Sequence, residues 1–211
     1  MNRLVMVIIW SLPLLAGIFT YGDLPEQMAI HFNSDGVADG FQSKPLFFVV
    51  YAVISAVVMG ALLFSRKIDP KKQNYEKFPK AYEMIRFAVL ILLSASYLYL
   101  LIYNLGFSWD VRIFVHLLLG LVWLIIGNYL GQVRSNHFLG IRTPWTLADE
   151  GIWRKTHRMA APVWVLAGLL LILAAFLPVL RQSPVLVLGV IIVSILLPSV
   201  YSFILHRRLQ G

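Results

Sequence analysis

Long apolar runs separated by short polar stretches set the pattern of the chain, and they cover residues 4–21, 46–65, 87–105, 113–130, 163–180 and 185–205. Each is close to the roughly 20 residues that carry a helix across a bilayer core. Lipid offers backbone N–H and C=O groups no partners, so such runs must satisfy them internally as helix; no segment alternates with the period of two that a barrel strand needs. The pattern predicts an all-α, polytopic membrane protein with six transmembrane helices, forming a single transmembrane helical domain over residues 1–211.

Composition agrees: 59% of residues are hydrophobic and 13% charged, against roughly a quarter charged in soluble domains. Cysteine is absent, which removes disulfides and thiolate chemistry. The first run follows Met1-Asn2-Arg3 like a signal peptide, but it continues to Tyr21, and Gly22-Asp23-Leu24-Pro25 lacks a small-x-small cleavage pattern. It is read as an uncleaved first span.

The net charge of +8 would point a soluble protein toward nucleic acid, but in a membrane protein the cations report topology. Of the 18 Lys and Arg residues, Lys44, Arg112 and Arg181 fall on one face and the rest on the other. This predicts an N-in/C-in arrangement with no direct nucleic acid contact: an extracytoplasmic loop at 22–45, a cytoplasmic basic loop at 66–86 and a cytoplasmic signature segment at 131–160. Turns near Ser108 and Gln182 then face outward. Asp23, Glu26, Asp35, Asp39 and Asp110 make the outer face mildly acidic, attractive to a cationic or amphipathic ligand.

In the outer loop between helices 1 and 2, Asn33-Ser34-Asp35-Gly36 and Asp39-Gly40 favour turns, and residues 28–32 are read as a short extended segment laid over the helix ends. The basic loop, with Asp69-Pro70, Lys71-Lys72 and Phe78-Pro79, is read as a solvated connection facing membrane lipid headgroups.

The densest polar stretch runs from Asn136 to Leu147 and on through Glu150, Trp153, Thr156 and His157. Pro144 pushes Thr143 toward an extended conformation and suits the first helical position. Thr146-Leu147-Ala148-Asp149 offers an alternative, capping-box start. Either predicts an inner amphipathic helix between helices 4 and 5, running to about Met159. Trp153, Thr156 and His157 share one side and Arg154, Lys155 and Arg158 the other; the helix would lie in the headgroup layer and turn at Pro162. An interfacial helix does not need Asn136, His137, Gly140, Arg142, Thr143, Pro144 and Trp145 before it, whereas a partner-binding or gating surface does.

Catalytic patterns are missing. Neither H-E-x-x-H nor G-x-S-x-G nor a phosphate-cradling Gly-Lys-Ser/Thr loop occurs, and His31 with Asp35 and Asp39 lacks the second His expected of a zinc site. The expectation is no enzyme, no cofactor and no metal. Near the outer end of the fourth run Arg112 is expected to snorkel toward Asp110, with His116 a hydrogen-bonded core residue. Gly120, Gly127, Gly131 and Asn128 predict close helix packing with an interhelical hydrogen bond.

Two segments together carry a resemblance. Leu24-Pro25, Ile30-His31-Phe32-Asn33, Gly36, Asp39-Gly40 and Ser43-Lys44 resemble the N-terminal domain of unknown function of SdpI-type membrane proteins. Asn136, Gly140 through Leu147, Glu150, Trp153 and Thr156-His157-Arg158 are similar to that family's second signature. Ala160-Ala161 depart from it where a Gly follows the inner His. The resemblance implies a multi-pass immunity protein of the bacterial cytoplasmic membrane that protects against a secreted peptide toxin, the sporulation-delaying protein. It also implies a cytoplasmic repressor partner held at the inner face. On this reading His31, Asn33, Asp35, Asp39 and Lys44 bind ligand outside, and Asn136, Gly140, Arg142, Thr143, Pro144, Trp145, Trp153, Thr156 and His157 bind a partner inside. The alternative is a transporter or exporter of small amphipathic molecules, lined by Asn104, Arg112, His116 and Asn128.

Overall fold

The computed structural model describes residues 3–107 and 109–210; the turn expected near Ser108 lies at a position outside the described residues. In chain order the elements are α1 (Arg3–Thr20), β1 (Gln27–Phe32), β2 (Ala38–Ser43), α2 (Lys44–Ile68), α3 (Pro79–Asn104), α4 (Val111–Leu130), the short α5 (Pro144–Ala148), α6 (Glu150–Phe176), the short α7 (Pro178–Arg181) and α8 (Pro184–Gln210). α1, α2, α3, α4, α6 and α8 are long and apolar enough to cross a membrane. The bundle has a hairpin face, with β1–β2 and the α3–α4 and α6–α8 connections, and a basic face, with residues 69–78 and 131–149.

The all-α expectation needs one correction: β1 and β2 form a two-stranded antiparallel sheet, with Met28 opposite Gln42 and Ala29 opposite Phe41. The turn residues explain it. Asn33 Oδ1 accepts the N–H groups of Asp35 and Val37, both at 3.0 Å, and Gly36 takes φ +81°, where a side chain would be strained. The hairpin is then clamped to α3, because Ala29 N–H donates to Asn104 Oδ1 at 2.8 Å and Asn104 Nδ2 donates back to Ala29 O at 3.0 Å. Phe32 packs edge-on against Tyr103, ring centroids 4.7 Å apart.

A second correction concerns the inner amphipathic helix, which is not a separate element in the headgroup layer. α6 runs unbroken from Glu150 through Pro162 to Phe176. Asp149 caps it, accepting Ile152 N–H at 2.7 Å. Proline inside a membrane helix removes one backbone donor without ending the helix when neighbouring segments hold it. The Ala160-Ala161 departure fits the same geometry: Ala160 is fully buried, and Ala161 comes close to Gly131 at the end of α4.

Small residues bring α4 and α6 together. A Cβ on Gly168 would lie 2.7 Å from Gly120 O and 2.8 Å from Leu124 N, and one on Gly127 would lie 2.8 Å from Val165 N. Backbones this close forgo side chains in exchange for dispersion contact, since lipid provides no hydrophobic drive between helices. α8 joins through a shared serine: Trp123 Nε1 donates to Ser194 Oγ at 2.9 Å and Trp164 Nε1 to Ser194 O at 3.1 Å. The glycines thus behave as expected, but Asn128 is exposed and the interhelical bonds come from tryptophan instead. On the other side of the bundle α3 receives α1 and α2, with Ser94 Oγ donating to Ile9 O at 3.0 Å and the Tyr51 and Tyr97 rings stacked.

Gly168→Ala should lower thermal stability in detergent by about 1–3 kcal/mol, because the clash is with backbone that cannot rotate away. Gly60→Ala, where the added Cβ meets nothing within 4 Å, should leave the melting temperature unchanged or slightly higher; equal losses at both positions would contradict the packing described.

Candidate functional site

On the basic face the loop after α2 and the segment after α4 are joined through buried polar groups. Asp69, at the C-terminal end of α2, is 2% exposed. Its Oδ2 accepts the Tyr75 hydroxyl at 2.7 Å and His137 N–H at 2.9 Å, and its Oδ1 accepts Lys71 N–H at 2.8 Å. The ring Nδ1 of His137 lies 3.1 Å from Oδ1. Burial alone would raise this carboxyl, but the His137 N–H, the Tyr75 hydroxyl and the Lys71 N–H together hold it below the ordinary carboxylate range. Burial and the adjoining carboxylate push the Tyr75 hydroxyl above its ordinary value, so it remains a donor.

Asn136, fully buried, shapes the next turn. Its Oδ1 accepts Phe138 N–H at 2.9 Å and Leu139 N–H at 2.7 Å, while Nδ2 donates to Arg134 O and Leu139 O. Two further bonds fasten the loops: Lys71 Nζ to Ser135 Oγ at 2.7 Å and Asn74 Nδ2 to Ser135 O at 2.8 Å. Below them Tyr75, Phe78, Tyr82, Val133 and Trp153 form one buried cluster. The basic loop is therefore not the solvated connection its charges predict, because the Asp69, Lys71 and Asn74 side chains find partners in 133–139 and its aromatics fill the space between α3 and α6.

The rest of the inner signature is organised around His157. Its Nδ1 lies 2.8 Å from Trp153 O, and its Nε2 accepts Ile141 N–H at 2.9 Å, an arrangement that requires the Nδ1–H neutral tautomer. Gly140 passes directly over the ring with φ +102°; a Cβ there would collide with Nε2. Thr143 and Thr146 cap α5 reciprocally, with Thr143 N–H donating to Thr146 Oγ1 at 2.9 Å and Thr146 N–H to Thr143 Oγ1 at 3.2 Å. This starts the helix at Pro144, not two or three residues later. The Thr143 and Ser202 hydroxyls are 3.0 Å apart and Trp145 packs on Phe203, which docks α5 on α8.

The structure thus separates the inner candidates. Asn136, Trp153, Thr156 and His157 are fully buried and Thr143 nearly so, and they set shape; Gly140, Arg142 and Pro144 are exposed beside His137 and Phe138, and Trp145 is half-buried. Asp69, Tyr75 and Ser135 were not among the sequence candidates. Their only sequence signal is that a carboxylate, a tyrosine and a serine stand in loops whose composition otherwise looks solvated.

The outer candidates divide in the same way. Asn33 is spent on the turn. Lys44 is 6% exposed, its Nζ donating to Leu24 O at 2.8 Å and Tyr21 O at 3.3 Å and pairing with Glu26 at 3.0 Å. His31 and Asp39 form a solvent-exposed pair at 2.6 Å, and Asp35 is held at the tip of the turn through its N–H. Ile30, Val37 and Phe41 are exposed on the same hairpin. Asp110 caps α4 and binds Arg112 through both carboxylate oxygens, at 3.0 and 3.1 Å, as expected; Arg112 and the nearby Arg181 hold it below the ordinary carboxylate range. Among the described residues no three His, Cys, Asp or Glu side chains are grouped to hold a metal. The four residues of the transport alternative do not converge: Asn104 clamps the hairpin, Arg112 binds Asp110, His116 Nδ1 bonds Arg112 O and Asn128 is exposed at the other end of α4.

Both polar regions fall within matches to known sequence families. The model of the SdpI/YfhL protein family matches residues 132–202, which contain the inner signature. Over that segment the chain is similar to the SdpI/YfhL family. A second model, a domain of unknown function (DUF1648), matches residues 8–55 and so contains the hairpin. Immunity protein SdpI of Bacillus subtilis (strain 168) is 26% identical over 211 residues, spanning 100% of this chain and 98% of its own length. No solved structure matches. The similarity and the six apolar helices together make this chain a multi-pass bacterial membrane protein.

Asp69→Asn should cost about 1–3 kcal/mol by weakening charge-assisted bonds to a buried acceptor, and should raise trypsin cleavage after Arg134 and Arg142 in membranes opened to the protease. Because the folded state holds Asp69 low, its contribution is present in full above the ordinary carboxylate pKa and is lost as pH falls through the lower folded value. The gap in melting temperature between wild type and Asp69→Asn should therefore be flat near neutral pH and close below about pH 4. Gly140→Ala should release Ile141 from His157 and raise trypsin cleavage at Arg142; unchanged cleavage would show that the glycine is not required there.

Proposed function

We propose that this protein is a membrane immunity protein that confers resistance to a secreted peptide toxin, with the hairpin face outside the cell and the basic face in the cytoplasm. Its near-complete alignment with Immunity protein SdpI carries the reading. The distribution of Lys and Arg supports the orientation. No chemical step on a substrate is involved.

The toxin-facing surface is the exposed side of the hairpin. Ile30, Val37 and Phe41 offer apolar contact and the His31–Asp39 pair a polar one, a combination suited to an amphipathic peptide at the membrane surface. Asn33, Asp35 and Lys44 act indirectly, by holding the turn and anchoring its base. α3 links the faces, since Asn104 clamps β1 at one end while Tyr82 bonds Ser65 and Leu62 of α2 at the other. A ligand that prefers one arrangement of α3 and α2 transmits that preference to the Asp69 joint. His137, Phe138, Arg142 and Pro144 form the surface offered to a cytoplasmic repressor, with the buried signature residues keeping it in shape.

Expression of the protein in a toxin-sensitive strain should permit growth at toxin concentrations that kill the parent, and unchanged killing removes the immunity reading. Phe41→Asp should abolish that protection while leaving the amount of membrane-inserted protein unaltered. Phe138→Ala with Arg142→Ala should leave protection intact but prevent recruitment of a repressor to membranes, and normal recruitment would sink the inner-surface assignment.

A further inference from the structure

Between the basic-face ends of α2 and α3 lies a cavity of about 360 Å³ lined by Leu63, Phe64, Arg66, Lys67, Tyr82 and Arg86, together with the carboxylate of Glu83. Its two walls differ in chemistry. Leu63 and Phe64 are exposed apolar side chains in the last membrane-crossing turns of α2, while Arg66 and Lys67 occupy the final turn. Lys67 Nζ sits over the Phe64 ring at 5.5 Å, and the Arg86 guanidinium sits over Tyr82 at 4.9 Å while its Nη2 also meets Met6 Sδ at 2.8 Å. The Tyr82 hydroxyl is occupied by Ser65 Oγ at 3.0 Å and Leu62 O at 3.3 Å, so it closes the floor. Arg66 pairs with Glu76 at 3.4 Å, but both side chains are solvent-exposed, and such a pair is readily exchanged for another anion. An adjoining cavity continues past Arg66 and Lys67 to Lys72.

From this juxtaposition we infer that the α2–α3 cleft binds one anionic glycerophospholipid, its phosphate among Arg66, Lys67 and Arg86 and an acyl chain along Leu63 and Phe64. A soluble phosphate would use the cations but gain nothing from the apolar wall. A zwitterionic lipid would fill the wall but bring its own cation to a site already rich in positive charge. Basic pockets between membrane helices on the cytoplasmic side recognise such headgroups in general. The bound lipid bridges α2 and α3 directly beneath the Asp69 joint, stabilising the basic face; this holds whether or not the protein confers immunity.

Full-length protein in a mild non-ionic detergent is titrated with phosphatidylglycerol, phosphatidylcholine, glycerol 3-phosphate or inorganic phosphate. Binding is followed by native mass spectrometry and by melting temperature. Phosphatidylglycerol should bind as a single retained lipid and raise the melting temperature, and the other three should bind at least about fivefold more weakly. The exposed-rim variant Arg66→Gln with Lys67→Gln should melt normally without lipid and lose at least about fivefold in phosphatidylglycerol affinity. Lys155→Gln with Arg158→Gln, which removes equal charge from exposed positions of α6, should lose less than about twofold. Equal losses in the two variants would reduce the effect to general surface charge. Phosphatidylcholine binding as well as phosphatidylglycerol, or glycerol 3-phosphate matching it, would overturn the lipid site.

Discussion

A carboxylate removed from water must be met by donors, and on the basic face that requirement is concentrated at Asp69. Charged groups cost several kcal/mol to desolvate unless their lone pairs are filled. Asp69 meets the cost with two backbone N–H groups, one tyrosine hydroxyl and one histidine ring, drawn from both sides of the joint. Residues 69–78 and 133–139 are consequently one structure, and the Trp153 and His157 side of α6 has a fixed surface to pack against. The exposed strip from His137 to Pro144 inherits its shape from this contact.

The opposite face solves a related problem differently. A hairpin of two strands is marginal alone, and here Asn104 supplies one strand with the donor and acceptor that a third strand would have provided. Lys44 crosses beneath it to the carbonyls of Leu24 and Tyr21. Both faces are therefore built on helix ends, and α3 reaches both. Between them the membrane-embedded contacts rely on small residues and aromatic rings, with polar bonds limited to positions such as Ser194 and Ser94.

Several assignments were legible because they depend on local chemistry. Pro144 at the first helical position, the pairing of Arg112 with Asp110 and the turn at Asn33–Gly36 follow from short-range rules of backbone and side-chain bonding. The glycines of α4 were legible as contact points, though their partner helix was not. Other residues misled. Trp153 and His157 stand one turn apart opposite a row of cations, which reads as an interfacial helix. They are instead buried, because Val133 O accepts the Trp153 indole N–H at 2.8 Å and Gly140 covers the imidazole. Lys44 and Asn33, read as ligand contacts, also bond the backbone around the hairpin.

What the sequence by itself determined about this protein is the number of spans, their helical state, the concentration of cations on one face and the positions of the two polar regions. These depend on bilayer thickness and on backbone groups that lipid leaves unsatisfied, both of which act on any chain of this hydropathy. Tertiary structure alone decided which polar residues face outward. Asp69, His157 and Lys44 each bond partners that lie between 16 and 68 residues away along the chain, and no local pattern encodes such a meeting. The cleft with Arg66 and Lys67 on its rim and Arg86 opposite is of the same kind, since it exists only where α2 and α3 stand side by side.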